Sequence, residues 1–336
     1  MFHSAANPII RLVFAPILLL FYLVEQGAFM PILAPMFVVI FLTLMPSKPP
    51  FSMLLKLLVV IVLVSFGIVA TGEVLVDSPT GFGLFCWLLL FWSFYRSHKD
   101  PKDLLSTFTL IFVIITCVVN LQFGVSIASL PAVLLETFVT ALVVTYASFI
   151  LFPGDEKDIQ PDEQGAQGAE LHLGLIAFKA TTLLLTIYVL IGTASTQTLL
   201  IAITIGSMIK IPISEDQRVF GSNRIVATTV GILMTIPIMA IVMIEAPIWV
   251  TFGIACFCGI QLACYAIRKQ CRLSVYQLLF TNFIVLVNQI ITYQGAEPLL
   301  AQLTRLVSIS TAIVVAALLL NLMSIKPTAL GSNHSL

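Results

Sequence analysis

The sequence predicts an all-α integral membrane protein with about twelve transmembrane helices, arranged as two parallel repeats of six helices. Three observations lead to this prediction. The chain is 59% hydrophobic and only 10% charged, with a mean hydropathy of +1.08, whereas soluble domains carry about 25% charged residues. Its apolar segments approach the length that a membrane requires. Unusual residues also recur along the chain at a spacing of about 168 positions.

Twelve apolar segments come close to the roughly 20 residues that a helix needs to cross a bilayer. Several are short, and a count of ten would follow if the shortest pairs were re-entrant. The segments are 8–24, 29–45, 52–71, 80–95, 104–121 and 129–152 in the first half, and 172–191, 197–212, 223–243, 247–266, 273–291 and 300–323 in the second.

The repeat is visible in polar and charged residues that return at matching depths of the two halves. The pairs are Arg11 with Lys179, Lys56 with Arg224, Asn120 with Asn288, and Glu136 with Arg305. We therefore divide the chain into a first six-helix repeat (1–153), an acidic cytoplasmic linker (154–171), a second six-helix repeat (172–323) and a cytoplasmic tail (324–336). A duplicated hydrophobic bundle is a common plan for secondary transporters.

Lysine and arginine placement predicts the orientation. Basic residues cluster in the even-numbered connections between segments, for example at Arg96 and Lys99, whereas the odd-numbered connections hold acidic residues such as Glu73 and Glu245. Because basic loops stay in the cytoplasm, both termini are predicted to be cytoplasmic. Six crossings per half then make the two repeats parallel.

Glu136 is the sharpest candidate for chemistry, because it interrupts an otherwise apolar segment. A carboxylate within a membrane is costly unless it is paired, hydrated or protonated. We interpret Glu136 either as a proton-coupling or gating residue, or as a structural partner for a basic group. Its repeat counterpart Arg305 either binds an anionic substrate with its planar guanidinium, forms an ion pair with Glu136, or reaches toward the lipid headgroups at the outer end of its segment. Asn120 and Asn288 either cross-link helices or line the outer pathway with Arg305.

Four further basic residues lie near the predicted inner boundary: Arg11, Lys56, Lys179 and Arg224. Most such side chains reach toward lipid headgroups. Their recurrence in both halves supports a second interpretation, a cationic inner vestibule that collects anions.

Other chemistry has little support in the sequence. The six cysteines show no Cys-x-x-Cys spacing, so we expect neither disulfides nor a metal site. No nucleotide-binding or nucleophile motif is present, and the net charge is zero. We therefore expect no cofactor, no enzymatic activity and no nucleic-acid partner.

Two stretches carry a family resemblance: LAPMFVVIFLTLMPSKPPFSMLLKLL in the first half and IAITIGSMIKIPISEDQRVFGSNRIVATTVGILMTIP in the second. Each has a span, a short loop and a basic residue that opens the next span. In the second half Arg224 is followed by Gly231, and in the first half Lys56 is followed at a looser spacing by Gly67, beyond the quoted stretch. In these features the chain resembles the fusaric-acid-resistance and aromatic-acid-exporter (FUSC-like) superfamily, and we expect it to be a small inner-membrane member without the large cytoplasmic domain of bigger members.

The resemblance implies a proton-driven exporter of aromatic carboxylic acids or similar toxic organic anions in the bacterial inner membrane, working with a periplasmic adaptor of the membrane-fusion type. The sequence leaves two alternatives open: a passive organic-anion channel, and a non-transporting membrane subunit of an efflux or assembly complex. The expected partners are the organic anion, the lipid bilayer and the adaptor, with a homo-oligomer left open.

Overall fold

The structure is a computed structural model of the 336-residue chain. It describes residues 7–28, 30–44, 51–75, 78–100, 103–123, 130–153, 173–192, 198–210, 214–292, 304 and 307–318. The predicted linker (154–171) and the predicted tail (324–336) lie wholly outside the described residues.

The described residues form twelve helices and no β-strand. The helices are α1 (Asn7–Glu25), α2 (Leu33–Leu44), α3 (Phe51–Leu75), α4 (Pro79–Lys99), α5 (Leu104–Phe123), α6 (Leu130–Leu151), α7 (Leu173–Gly192), α8 (Thr198–Lys210), α9 (Ser214–Met243), α10 (Ile248–Arg268), α11 (Leu273–Thr292) and α12 (Val307–Leu318).

Each predicted apolar segment contains one of these helices, so the all-α prediction is confirmed. The largest difference at a described boundary is in α9, which begins at Ser214 rather than near residue 223. The added turns are polar and therefore escaped a search for apolar residues.

Seven of the described helices are long and apolar enough to cross a membrane, which makes the chain a multi-pass membrane protein. They are α1, α7 and α10, together with the apolar parts of α5, α6, α9 and α11. The helix α4 is 21 residues long, but its Trp, Tyr, Ser and Arg residues lower its hydropathy. Four described apolar segments are shorter: Leu33–Thr43, Val62–Leu75, Ile201–Lys210 and Val307–Leu318. Twelve crossings therefore remain a prediction.

The chain divides into two compact units, and each unit takes helices from both halves of the sequence. The first unit comprises Met1–Glu73, Ser126–Gln167 and Ser222–Val307, and the second comprises Val74–Val125, Gly168–Gly221 and Ser308–Leu336.

In the first unit, α1 packs against α2, α6, α10 and α11, and α2 also packs against α6 and α11. An aromatic contact joins α2 to α6, where the rings of Phe41 and Phe138 meet edge to face at 5.1 Å. The helices α1 and α10 approach closely at Gly259, where a Cβ atom would lie 2.7 Å from Cγ1 of Val13. Only glycine allows this separation without a shift of the neighbouring side chain.

In the second unit, α4 packs against α5, α7 and α8, and α7 also packs against α5 and α8. The indole Nε1 of Trp87 on α4 donates a hydrogen bond to Oγ1 of Thr181 on α7, at 2.9 Å. The buried thiols of Cys86 and Cys117 lie 3.4 Å apart between α4 and α5. Both cysteines are free thiols, as the sequence predicts.

Three helices end in the same backbone motif. After α1, Gly27 has a φ of 66°, and the next N–H, that of Ala28, bonds the carbonyl of Leu23 at 3.0 Å. The ends of α9 and α10 repeat this pattern with Glu245 (φ 53°) and Gln270 (φ 47°) in the left-handed position. These are Schellman motifs, which satisfy the last carbonyls of a helix.

Candidate functional site

Arg11 lies on α1 inside the first unit, where its side chain is fully buried. Its guanidinium carbon is 3.9 Å from the centre of the Phe149 ring. Its Nη1 donates to the backbone carbonyl of Phe152 at 3.3 Å, and Nδ2 of the neighbouring Asn7 donates to the carbonyl of Pro153 at 2.7 Å. The first turns of α1 therefore cap the C-terminal end of α6.

This geometry has an electrostatic basis. The last carbonyls of a helix have no partner within the helix and carry partial negative charge. A buried cation at that position stabilises the helix end, and the face of an aromatic ring adds a cation–π attraction. Arg11 therefore has a structural role in the first unit, joining α1 to α6.

Lys179 is the repeat counterpart of Arg11 and lies on α7 in the second unit. It is only 5% exposed. Within the described part of the chain its ammonium group has neither a hydrogen bond nor an ion pair. A buried ammonium group without a counter-charge is unusual, because each cation removed from water needs compensation. Lys179 is therefore the strongest candidate in the second unit for an anion-binding group.

Arg224 on α9 is the corresponding candidate in the first unit. It is 9% exposed, and its Nε is buried with no hydrogen-bond partner among the described residues. Lys56, its repeat counterpart on α3, is exposed. Of the four residues predicted to form the inner vestibule, three are therefore buried and one is not.

A polar contact lies one turn beyond Arg224. The amide Nδ2 of Asn282 on α11 donates to Oγ1 of Thr228 on α9 at 3.2 Å, and both side chains are buried. Thr228 in turn donates to the carbonyl of Arg224 at 2.8 Å. One turn further along α9, a Cβ on Gly231 would lie 3.0 Å from Cδ1 of Leu286. A buried amide thus cross-links two helices next to a buried guanidinium.

Asn120 and Asn288 are both half-buried, near the C-terminal ends of α5 in the second unit and α11 in the first. The carbonyl oxygen Oδ1 of Asn288 is buried, as is Oε1 of Gln289, and neither has a hydrogen-bond partner among the described residues. Buried amide oxygens without partners are uncommon in folded proteins. The amide that cross-links α11 to α9 is Asn282, and the cross-link or pathway role of Asn288 stays a prediction.

Glu136 is exposed on α6. It shares a face of the helix with Val139 (40% exposed), Val143 (62%) and Ile150 (54%), a stripe that repeats with helical spacing. Its carboxylate contacts no basic group in the described residues. Arg305 lies outside the described residues, so the predicted relationship of Arg305 with Glu136 stays a prediction.

Sequence reasoning missed a charged and aromatic cleft in the second unit, at the end of α4. It has a volume of about 300 Å³ and is lined by Trp92, Tyr95, Arg96, Lys99, Asp100 and Asp103. The sequence carried a signal for it, since an apolar span that ends in Trp, Tyr, Arg and Lys is typical of a membrane–water interface. In the sequence analysis, Arg96 and Lys99 contribute only to the predicted orientation.

Comparison with known proteins gives one match. Residues 8–148 match the family model described as Protein of unknown function (DUF2955). This match begins in α1 and ends in α6, so it covers the first predicted repeat. Neither a curated protein nor a solved structure matches the chain.

Proposed function

We propose that the protein is a transporter of the bacterial inner membrane that exports aromatic carboxylic acids or similar organic anions. The main observation that supports this proposal is the burial of Lys179 and Arg224. Each is a cation inside an apolar helix, and neither has an acidic partner among the described residues. Ionisable groups within membrane helices are expensive and mark ion or substrate pathways.

The charge of these residues selects the class of substrate. A buried ammonium or guanidinium group repels cations and gains most from an anion that replaces its lost water. An aromatic carboxylic acid offers a carboxylate for the cation and an apolar ring for the surrounding helix side chains. The resemblance to aromatic-acid exporters leads to the same class of substrate.

We further propose that the protein arose by duplication of a six-helix unit and exchanged helices between its two copies. The packing inside the two units supports this proposal. In the first unit α1 packs on α10, α2 on α11 and α1 on α11, whereas in the second α7 packs on α4, α8 on α5 and α7 on α5. When each helix is replaced by its counterpart in the other repeat, six helices away, each of these three contacts in the first unit becomes a contact in the second unit. The family-model match over 8–148 also spans the six helices α1 to α6 of the first predicted repeat.

Coupling to the proton gradient is the part of the proposal that depends on Glu136. In this proposal the carboxyl group of Glu136 exchanges a proton with the outer side as the anion is exported. The exposure of Glu136 also favours a second candidate, a passive channel for organic anions, because a coupling residue is expected to face the substrate pathway.

In both cases the termini are cytoplasmic. A periplasmic adaptor of the membrane-fusion type is a further proposed partner.

The test is accumulation of labelled 4-hydroxybenzoate and fusaric acid in everted inner-membrane vesicles, with and without an uncoupler. Vesicles from cells without the protein serve as the control. Accumulation that the uncoupler abolishes would support the proton-driven exporter. Uptake that survives the uncoupler would favour the channel, and no uptake of either compound above the control would overturn the substrate class.

A further inference from the structure

A cleft at the end of α4, in the second unit, has the composition of a binding site. Four of its six lining side chains are charged and two are aromatic: Arg96, Lys99, Asp100 and Asp103, with Trp92 and Tyr95. Its volume of about 300 Å³ is at the lower end of the range of about 300–1,000 Å³ typical of small-molecule sites. None of these residues is among the buried cations proposed above to bind anions, Lys179 and Arg224.

Two of the lining residues, Arg96 and Asp103, form an ion pair. Nε of Arg96 donates to Oδ2 of Asp103 at 2.6 Å. The other carboxylate oxygen, Oδ1, accepts from the backbone N–H of Leu105 at 3.3 Å, so Asp103 also caps the first turn of α5. The hydrogen bond and the nearby carboxylates of Asp103 and Asp100 raise the pKa of Arg96. The guanidinium therefore stays charged and fixed in place.

The hydrogen-bond donors of Arg96 and Lys99 that are not used within the protein favour an anionic ligand. Arg96 uses only Nε for Asp103, and its two terminal nitrogens make no hydrogen bond among the described residues. The Arg96 guanidinium carbon is 5.4 Å from the Trp92 ring centre, and the Lys99 ammonium is 4.6 Å from the Tyr95 ring centre. Two cations are thus held by aromatic rings at one end of an apolar helix. A phosphate group suits this pair, because both side chains donate charge-assisted hydrogen bonds to its oxygens.

The position in the helix points to a lipid as the source of that phosphate. The apolar part of α4 ends just before Arg96, and Trp and Tyr next to basic residues are typical of the headgroup level of a membrane. Basic pockets at the cytoplasmic ends of membrane helices bind lipid headgroups. The carboxylate of Asp100, which also lines the cleft, repels a ligand that carries a second negative charge and attracts a ligand that also carries a positive charge.

We propose that this cleft binds the headgroup of phosphatidylethanolamine. Arg96 and Lys99 hold the phosphodiester, and the ethanolamine ammonium donates to the carboxylate of Asp100. Trp92 and Tyr95 lie beside the headgroup at the membrane boundary. This binding does not depend on whether the protein transports organic anions.

Native mass spectrometry of the full chain in detergent micelles tests the assignment, with eight-carbon-chain phosphatidylethanolamine, phosphatidylglycerol and phosphatidylcholine as probes. Lys99→Gln is the main variant, because Lys99 is exposed and its loss leaves the packing of α4 intact. Lys56→Gln, at another exposed lysine, is the matched control. Arg96→Gln is a second variant whose folding is checked by its thermal unfolding temperature.

We expect wild-type protein to bind phosphatidylethanolamine at least fivefold more tightly than either other lipid. Lys99→Gln should weaken that binding at least fivefold, and Lys56→Gln should leave it unchanged. Equal binding of phosphatidylglycerol, or an equal loss in Lys56→Gln, would overturn the assignment. Displacement of the lipid by inorganic phosphate at equal concentration would show that the free anion is the ligand and would also overturn it.

Discussion

The guanidinium of Arg11 lies against the ring of Phe149, with its central carbon 3.9 Å from the ring centre. The same side chain donates to the carbonyl of Phe152, the residue that follows α6. A cation that the sequence suggested for anion collection therefore secures a helix end in the first unit. Its repeat counterpart Lys179 is also buried, in the second unit, but has no such contact among the described residues.

Arg11→Gln should destabilise the protein by about 1–3 kcal/mol, because it removes the cation–π contact and the charged cap of α6. The measurement is thermal or denaturant unfolding of the purified protein in detergent. Lys56→Gln is the control, since Lys56 is exposed and its loss should change stability by less than about 0.5 kcal/mol. Equal stability of Arg11→Gln and wild type would contradict the capping role.

Gly259→Ala should lower stability by about 1–3 kcal/mol, because the new methyl group overpacks the contact between α1 and α10. A Cβ there would lie 2.7 Å from Val13 Cγ1 and 3.1 Å from Ile17 Cδ1. Gly253 on the same helix has no atom within 4 Å of the Cβ position, so Gly253→Ala should gain up to about 1 kcal/mol from helix propensity.

The same unfolding assay compares these two glycine variants. Val13→Ala in the Gly259→Ala background should recover part of the lost stability, because it removes the nearest atom. If Gly259→Ala and Gly253→Ala shift the unfolding midpoint in the same direction, the close packing of α1 on α10 is wrong.

The hydrogen bond from Asn282 to Thr228 should be measurable as a coupling energy. In a double-mutant cycle with Asn282→Ala and Thr228→Ala, we expect a coupling of about 0.5–1.5 kcal/mol, as found for buried polar pairs between membrane helices. Additive effects of the two single substitutions would mean that the two side chains do not interact.

The helices could be predicted from the sequence because runs of apolar residues are a local signal. All twelve predicted segments contain a helix among the described residues, and the main boundary error, at Ser214, arose where the helix is polar. The packing could not be predicted in the same way. The grouping of α10 and α11 with α1 and α2 depends on contacts between residues more than 200 positions apart, which hydropathy does not encode.

The candidate site was predicted only in part, for a related reason. Charge within an apolar segment identified Arg11, Lys179 and Arg224, and all three are buried. Sequence alone could not show that Arg11 binds the end of α6, because Phe149 and Phe152 lie about 140 positions away. The sequence likewise did not show which amide of α11 would form a cross-link to α9, and the structure shows that it is Asn282.

Cys271 should report both orientation and local environment. It lies between α10 and α11 in a loop with Lys269, which we predict to be cytoplasmic. Burial raises the pKa of this thiol, partly offset by Lys269. Since only the thiolate reacts, labelling by a membrane-impermeant maleimide should be slow at pH 7 and rise about tenfold per pH unit until the raised pKa is reached.

The side of the membrane from which Cys271 is labelled reports the orientation of the protein. Everted vesicles should label at Cys271 and intact spheroplasts should not, with Cys271→Ser as the control for the other cysteines. Labelling of Cys271 in spheroplasts alone would reverse the predicted topology. A rate that does not change between pH 7 and pH 9 would contradict the raised pKa.

Glu136→Gln separates the two functional candidates. Because the amide cannot carry a proton, an exporter coupled through Glu136 should lose accumulation driven by the proton gradient but keep downhill exchange of labelled anion. The substitution removes a charge from an exposed face of α6, so insertion into the membrane should be unchanged. Full gradient-driven accumulation by Glu136→Gln would contradict its role in coupling.

Uptake of labelled 4-hydroxybenzoate by everted vesicles that contain Lys179→Gln tests the central claim most directly. The variant keeps a side chain of similar length and removes only the buried charge, while Lys56→Gln removes an exposed charge from the repeat counterpart of Arg224. If buried cations bind the transported anion, uptake should fall at least tenfold in Lys179→Gln and remain near wild type in Lys56→Gln, at equal protein levels in the membrane. Wild-type uptake in Lys179→Gln would contradict the account.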